Sequence, residues 1–516
     1  MKVLLLSIFQ ENMGVTEELG LEYIAAALRK NDHSVEILTM AESEFCLDDV
    51  IKYEPEIIGF NTYWNTLECT NHVACRIKQS SLACYILYGG YQASYHFDEI
   101  LSNDYVDFII PFEGEMVFLD LVNALTNNED IGNVRGIVFR RNNQVIKTQT
   151  ADTLNDLDSL PFPARDLLVR YNFPYATIST SRGCMRKCSF CMSHSYWKRW
   201  RGRSPGNIVD EIEYVQSTYK FDRFSFIDAS FEDSFTKGRY LEIAQEILRR
   251  NLRIYYHVNL RAEFCKNIPT EDMNILVESG LISVYLGIES ANRDDLLLYN
   301  KYAKTEDNYA AMRLLSNFPI SIHIGFINFN PQSTFISLRD NCSFFREFGV
   351  FNAFLYNTNL ILFQGTDIAK IFDKACEDEI EFTNSNINNL YGFINETFNK
   401  KLIFNNRGVY DNFIEYFAGY TCELIVQARS ANSTEYLEII KAAQYRLEAI
   451  FHDLNKHSGN FYERLLDLAE NGWDEQKANI YQEKYLSWDY VNNVLKRLDL
   501  EKNRFLRDRI KIGGTI

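Results

Sequence analysis

Apolar residues in the first quarter of the chain gather in short, mainly apolar runs, at 3–7, 35–38, 57–60, 84–87 and 106–110. Runs of four or five bounded by polar turns predict buried strands, and the three-to-four-residue spacing over 17–30 predicts an amphipathic helix. Strands alternating with helices predict a parallel, doubly wound sheet. Ligands of such sheets sit at the carboxyl ends of the strands. The loops there are residues 7–14, then Asn61, Thr62, Tyr63 and Trp64, then 89–94 with Gly89, Gly90, Tyr91 and Gln92, and then Glu113, Gly114 and Glu115.

A strand pair at 136–140 and 144–148 closes a Rossmann-like first domain, 1–150. Residues 151–175, with prolines at 161 and 163, read as a linker. Strand–helix alternation then resumes, with strands expected at 176–180, 223–228, 254–259, 283–287, 321–327 and 353–357. Six such units predict a partial (β/α)6 barrel over 176–370, whose chemistry sits at the carboxyl ends of its strands. The remainder, 371–516, is predicted helical: 434–454 has helical spacing, and Ser487 is placed to cap a second helix. This domain is expected to cover the barrel mouth.

Composition narrows the partners. A net charge of −17 argues against a nucleic-acid partner, which would need a basic face. The one basic run, 197–203, reads as contacts to cofactor carboxylates or phosphates, or as helix-entry packing. No stretch approaches the ~18 apolar residues of a membrane span. The apolar start at 3–8 is too short for a secretory signal, so with eleven cysteines a reducing, cytoplasmic setting is expected.

The chemistry concentrates in Cys184, Cys188 and Cys191, spaced C-x3-C-x2-C directly after the strand at 176–180. Three thiolates on one loop can hold three irons of a [4Fe–4S] cube and leave the fourth iron open. A zinc site is the alternative, with His194 completing a Cys3His set. A zinc knuckle usually staples a module without a core, whereas this loop lies in a long α/β chain, where His194 reads as a polar loop residue near a cofactor.

This motif resembles that of the radical S-adenosylmethionine (SAM) enzymes. The resemblance implies SAM on the open iron, with Phe190 near its adenine. It also implies contacts from Asp228 in the segment 226–231 and from Glu289 at the end of the fourth strand. Asp228 could alternatively cap a helix. Leu19-Gly20-Leu21, Gly89-Gly90-Tyr91-Gln92-Ala93 and Glu113-Gly114-Glu115 resemble the cobalamin-binding domain that precedes the barrel in B12-dependent members. Paired glycines after a strand would let the backbone approach the nucleotide tail. The D-x-H-x-x-G motif is absent and His33, His72 and His96 are misplaced for cobalt, so no histidine is expected on the lower face. The resemblance covers roughly residues 1–370. Methylthiotransferases carry a further three-cysteine cluster in front of the barrel. Here Cys46, Cys69, Cys75 and Cys84 do not follow the first strand, and Cys69 and Cys75 read as core residues.

The resemblance implies cleavage of SAM to a 5′-deoxyadenosyl radical and methylation of an unactivated carbon from methylcobalamin, in secondary metabolism. It implies a small-molecule or peptide substrate and a reductant such as flavodoxin or ferredoxin. The alternatives are a B12-dependent cyclase or ring-rearrangement enzyme, a radical SAM enzyme whose Rossmann domain binds no cofactor, and a non-enzymatic sensor.

Overall fold

The computed structural model describes residues 1–10, 16–232, 238–351, 353–373, 381–398, 420–429, 431 and 433–511. The expected loop 7–14 therefore lies partly outside the described residues. These residues form two compact units, 1–185 with 192–229, and 186–191 with 230–516.

In the first unit β1 (Lys2–Phe9), β2 (Ser34–Ala41), β3 (Ile57–Asn61), β4 (Tyr85–Gly89) and β5 (Phe108–Ile110) are parallel. An antiparallel hairpin, β6 (Val138–Arg141) and β7 (Gln144–Lys147), completes a seven-stranded sheet of order β2-β1-β3-β4-β5-β6-β7. The order reverses between β1 and β3, the switch point where open sheets leave a crevice. β1 is apolar from Val3 to Leu6 because both its faces are covered. Val3 and Leu5 join one core with Phe118 and Leu121, and Leu4, Leu6 and Ile8 join another with Ile58 and Val73.

The segment 151–175 is no loose tether. Arg165 is fully buried and pairs with Glu17 at 2.7 Å and Glu211 at 2.5 Å. Its charge needs both carboxylates, since an unpaired buried guanidinium would cost several kcal/mol, roughly 3–5. β8 (Ala176–Ile178) then pairs in parallel with β11 (Arg223–Phe226). Between them β9 (Ser181–Arg182) and β10 (Arg201–Gly202) form a short antiparallel pair.

The second unit holds the parallel strands β12 (Tyr255–Arg261), β13 (Leu281–Glu289) and β14 (Ser321–Phe326). The strand expected at 353–357 is instead the helix Ala353–Asn357. Strand pairing is deferred to Asn359, which bridges Phe329 in parallel, while the amides of Phe329 and Leu360 donate across the bridge. Leu355 and Tyr356 are both buried, and a short apolar run of this kind fits a buried strand and a buried helical turn equally, since periodicity over five residues cannot separate them.

The C-terminal portion is helical as expected, with Thr434–Glu470, Glu475–Leu486 and Trp488–Lys511. Ser487 accepts the amide of Tyr490. These elements do not confine themselves to the barrel mouth. Tyr462 accepts from Asn328, beyond the carboxyl end of β14. Arg429, by contrast, donates to the carbonyls of Leu281 and Pro319 at the amino ends of β13 and β14.

Candidate functional site

In the first unit an open cavity of about 100 Å³ lies at the carboxyl ends of β1, β3, β4 and β5, where sheets of this kind bind their ligands. Leu5, Phe60, Asn61, Gly89, Gly90, Glu113, Gly114 and Glu115 contribute to its walls, and no histidine is among the described lining residues. His33, His72 and His96 bond elsewhere, to Asn123, Glu42 and Glu99.

The expected contacts do different work. Thr62 is fully buried, donating to the Gly89 carbonyl at 2.7 Å and accepting the Ala93 amide, so it fixes the turn after β4. Gln92 donates its amide to the Thr62 carbonyl in the same turn. Gly90 has φ +94°, and a Cβ there would meet Asn61 Oδ1 at 2.4 Å. Its glycine is demanded by the β3 loop behind it, and only Gly89 has ordinary space around it. Tyr91 packs against Tyr196 with ring centroids 4.2 Å apart and the planes tilted by 36°, and Tyr63 tilts against Tyr91.

Pattern reading missed Glu18. Its buried carboxylate accepts from Ser7 at 3.1 Å and Asn61 at 2.8 Å, tying the ends of β1 and β3 together. Burial pushes its carboxyl above the ordinary range. A single Glu before a helix carries no pattern that would have marked it.

Glu113 and Glu115 meet arginines. Arg182 pairs with Glu113 at 3.0 Å and with Glu115, and Arg201 pairs with Glu113 at 2.6 Å. Arg203 pairs with buried Glu211. Arg201 and Arg203 of the basic run are thus committed to carboxylates of their own unit.

The cysteine loop is held from both of its ends. Ahead of it, Asp228 accepts the amides of Thr180 and Ser181 at 2.9 and 2.5 Å and both their hydroxyls. Its carboxylate is engaged by the backbone leading into the loop. Gly183, at φ +81°, lies where a Cβ would be 2.4 Å from the Arg199 carbonyl. After it, Ser189 donates its amide to the Tyr299 carbonyl and its hydroxyl to the Leu298 carbonyl. Phe190 meets Tyr299 edge-on at 5.6 Å. His194 lies in the helix Met192–Trp197, rather than in a loop.

Glu289 ends β13 with φ +66°, a left-handed backbone that is unusual outside glycine. Its carboxylate accepts from Lys301 at 2.9 Å. Burial opposes the Lys301 charge, but Glu289 and then the Cys188 sulfur outweigh it and hold the ammonium above its usual range. At the end of β12, Arg261 pairs with Glu232 at 2.5 Å, and Glu263 pairs with Arg186 of the cysteine loop at 3.1 Å. Neither of these two glutamates was read from the sequence, although Arg and Glu two apart at a strand end is a legible signal.

Residues 178–334 match the radical SAM superfamily model, and residues 9–122 match the B12 binding domain. Together they cover just over half of the chain. The chain belongs to the cobalamin-dependent radical SAM enzymes.

This radical SAM chain is 26% identical to an uncharacterized methyltransferase of Pyrococcus horikoshii, over 61% of the chain and 70% of the relative. It is 28% identical to the anaerobic magnesium-protoporphyrin IX monomethyl ester cyclase of Synechocystis sp., over 58% of the chain and 61% of the relative. Its fold is similar to that of the cobalamin-dependent radical enzyme OxsB, solved with aqua-cobalamin and SAM bound. The TM-score is 0.68 at 18% identity, over 98% of this chain and 80% of that one.

The residues fit the three cofactors of a cobalamin-dependent radical SAM enzyme. Cys184, Cys188 and Cys191 are half-buried and form no disulfide. Among the described residues no three His, Cys, Asp or Glu side chains close on one point, as a single ion would require. A cube makes no such demand, since each thiolate meets a different iron. Glu232 Oε2 and Glu263 Oε2 are buried without a hydrogen-bond partner, which suits the ammonium and hydroxyl donors of SAM. The cavity at the switch point suits part of a cobalamin. Of the cysteines outside the motif, Cys69 is buried, whereas Cys75, expected in the core, is half-exposed because it turns away from Cys69 on the helix Leu67–Lys78. Among the described residues no helix is long and apolar enough to cross a membrane.

Proposed function

We propose that this enzyme is a C-methyltransferase acting on an unactivated carbon of a small molecule. The observation that carries the reading is the pairing, in one chain, of the cysteine loop with an open cavity at the sheet's switch point. When bound, the cofactors supply one-electron cleavage of a sulfonium and a transferable methyl group. The protein's part is to hold and shield them.

In this reading Cys184, Cys188 and Cys191 each ligate one iron. Asp228 positions the loop by gripping the backbone at Thr180 and Ser181, rather than touching SAM. Phe190 flanks the adenine, and Glu289 with Lys301 meets the polar end of SAM. Asn61, Gly89, Gly90, Glu113, Gly114 and Glu115 line the cobalamin side, with Thr62, Tyr63, Tyr91 and Gln92 supporting the turns behind them. Boundaries near 150, 175 and 370 separate the functional regions. A flavodoxin or ferredoxin in the cytoplasm would serve as reductant.

A cyclase or rearrangement is the second reading, favoured by the Synechocystis relative's name. The two differ in stoichiometry. Methylation through cobalamin uses one SAM as methyl donor and one as radical source, so S-adenosylhomocysteine and 5′-deoxyadenosine should accumulate in about equal amounts. We expect that ratio when the reduced, reconstituted enzyme meets an extract of its source organism. 5′-Deoxyadenosine without S-adenosylhomocysteine would overturn methyl transfer.

A further inference from the structure

Parallel strands covered on both faces are normally apolar throughout. β12, β13 and β14 are not. Their registers put His257, Ser283 and Ser321 in one row across the sheet, and Asn259, Tyr285 and His323 in the next. With a two-residue repeat, these six side chains share one face. The other face carries Val258, Leu260, Val284, Leu286, Ile324 and Phe326, all buried. Phe326 packs on Phe345 of the helix Phe335–Phe348 at 4.7 Å, so the apolar side is the one that helices cover.

The polar face is not packed shut. Tyr285 is 42% exposed, and His257, Asn259, Ser321 and His323 are half-buried. Ser283 is 3% exposed, yet its Oγ has no hydrogen-bond partner. A buried hydroxyl without a partner is destabilising, and a ligand's polar group would relieve that cost. Gly325 lets Tyr285 lean across β14, since a Cβ there would lie 2.7 Å from the phenol oxygen. At the amino ends of the strands Arg429 caps the carbonyls of Leu281 and Pro319, closing that end with a side chain already committed.

We propose that this face binds the substrate, and that the substrate is a neutral small molecule rich in hydroxyl or amide groups. The inference rests on the radical SAM assignment and deepens the proposed function. Two imidazoles, a phenol, an amide and two hydroxyls offer both donors and acceptors, with no uncompensated charge. A hydrocarbon or a tetrapyrrole would leave the Ser283 hydroxyl unpaired and cover the rest of the polar face with apolar surface. An anionic ligand would want a cation, but Lys301 is spent on Glu289 and Arg261 on Glu232. Burial, with His323 adding to it at His257, holds both imidazoles neutral through the physiological range.

The test uses the reconstituted, reduced holoenzyme with SAM and two probes: the aqueous and the lipid fractions of a source-organism extract. The readout is stimulation of 5′-deoxyadenosine formation, which does not depend on whether a methyl group is later transferred. The aqueous fraction should stimulate, and His257→Leu and His323→Leu should each lower that stimulation about tenfold, the size of one or two lost polar contacts. Iron and cobalamin contents of the variants serve as the check on folding. Stimulation by the lipid fraction alone, or by neither, overturns the inference, as does a full response in both variants. S-adenosylhomocysteine measured in the same reaction bears on methyl transfer separately. Its absence beside a strong aqueous response would sink the methyltransferase reading and leave this one standing.

Discussion

Glu289 and Lys301 form a buried ion pair at 2.9 Å, with the carboxylate presented from a left-handed residue at the end of β13. Two buried charges that satisfy only each other are poor value for stability. A pair kept at a strand end beside Cys188 is better explained by a ligand that it meets.

Glu289→Ala should leave the Lys301 ammonium buried alone, costing about 3 kcal/mol in chemical denaturation, and should weaken SAM binding tenfold or more. The double variant Glu289→Gln/Lys301→Met should regain most of the stability and none of the affinity. Equilibrium dialysis with SAM checks this. Recovery of affinity along with stability would reduce the pair to a structural role.

Gly89 and Gly90 look equivalent in sequence and are not. Gly90→Ala forces a Cβ to within 2.4 Å of Asn61 Oδ1 at a positive φ, whereas Gly89→Ala meets nothing closer than 3.7 Å. Gly90→Ala should lower thermal stability and cobalamin retention, read from visible absorbance after gel filtration. Gly89→Ala should keep its stability, so any loss of cobalamin there reports on the ligand.

Asp228→Ala removes an acceptor shared by two amides and two hydroxyls, all buried. The expected cost is about 2–4 kcal/mol, from donors left unsatisfied. Iron loading should fall because the loop loses its fixed entry. Unchanged unfolding of the metal-free protein would contradict this account.

The sheet of the first unit was readable because its strands are short, mainly apolar runs and the helices between them are amphipathic. Cys184, Cys188 and Cys191 were readable because spacing alone limits what three thiols on one loop can hold. Other features were hidden for a physical reason. Glu18 and Lys301 act through partners 43 and 12 positions away, and no local window connects them. The glutamates at 113 and 115 were found by resemblance, but their arginine partners were not. Helix 353–357 imitated a strand because five residues are too few for its period to register.

His257 is pushed down to about 4 by burial and by His323. The unfolded chain binds a proton near 6.5 that the folded one refuses, so stability should fall as pH drops from about 6.5 to 4. His257→Gln should remove up to about 3 kcal/mol of that loss. Urea titrations of both proteins at pH 7 and pH 5 give the comparison, and parallel pH slopes would contradict it.

The most direct test is elemental analysis of the anaerobically reconstituted protein for iron, cobalt and zinc together. About four irons and one cobalt per chain are expected, with the iron and not the cobalt lost from the Cys184→Ala/Cys188→Ala/Cys191→Ala variant. One zinc per chain in place of iron, without cobalt, would contradict the account.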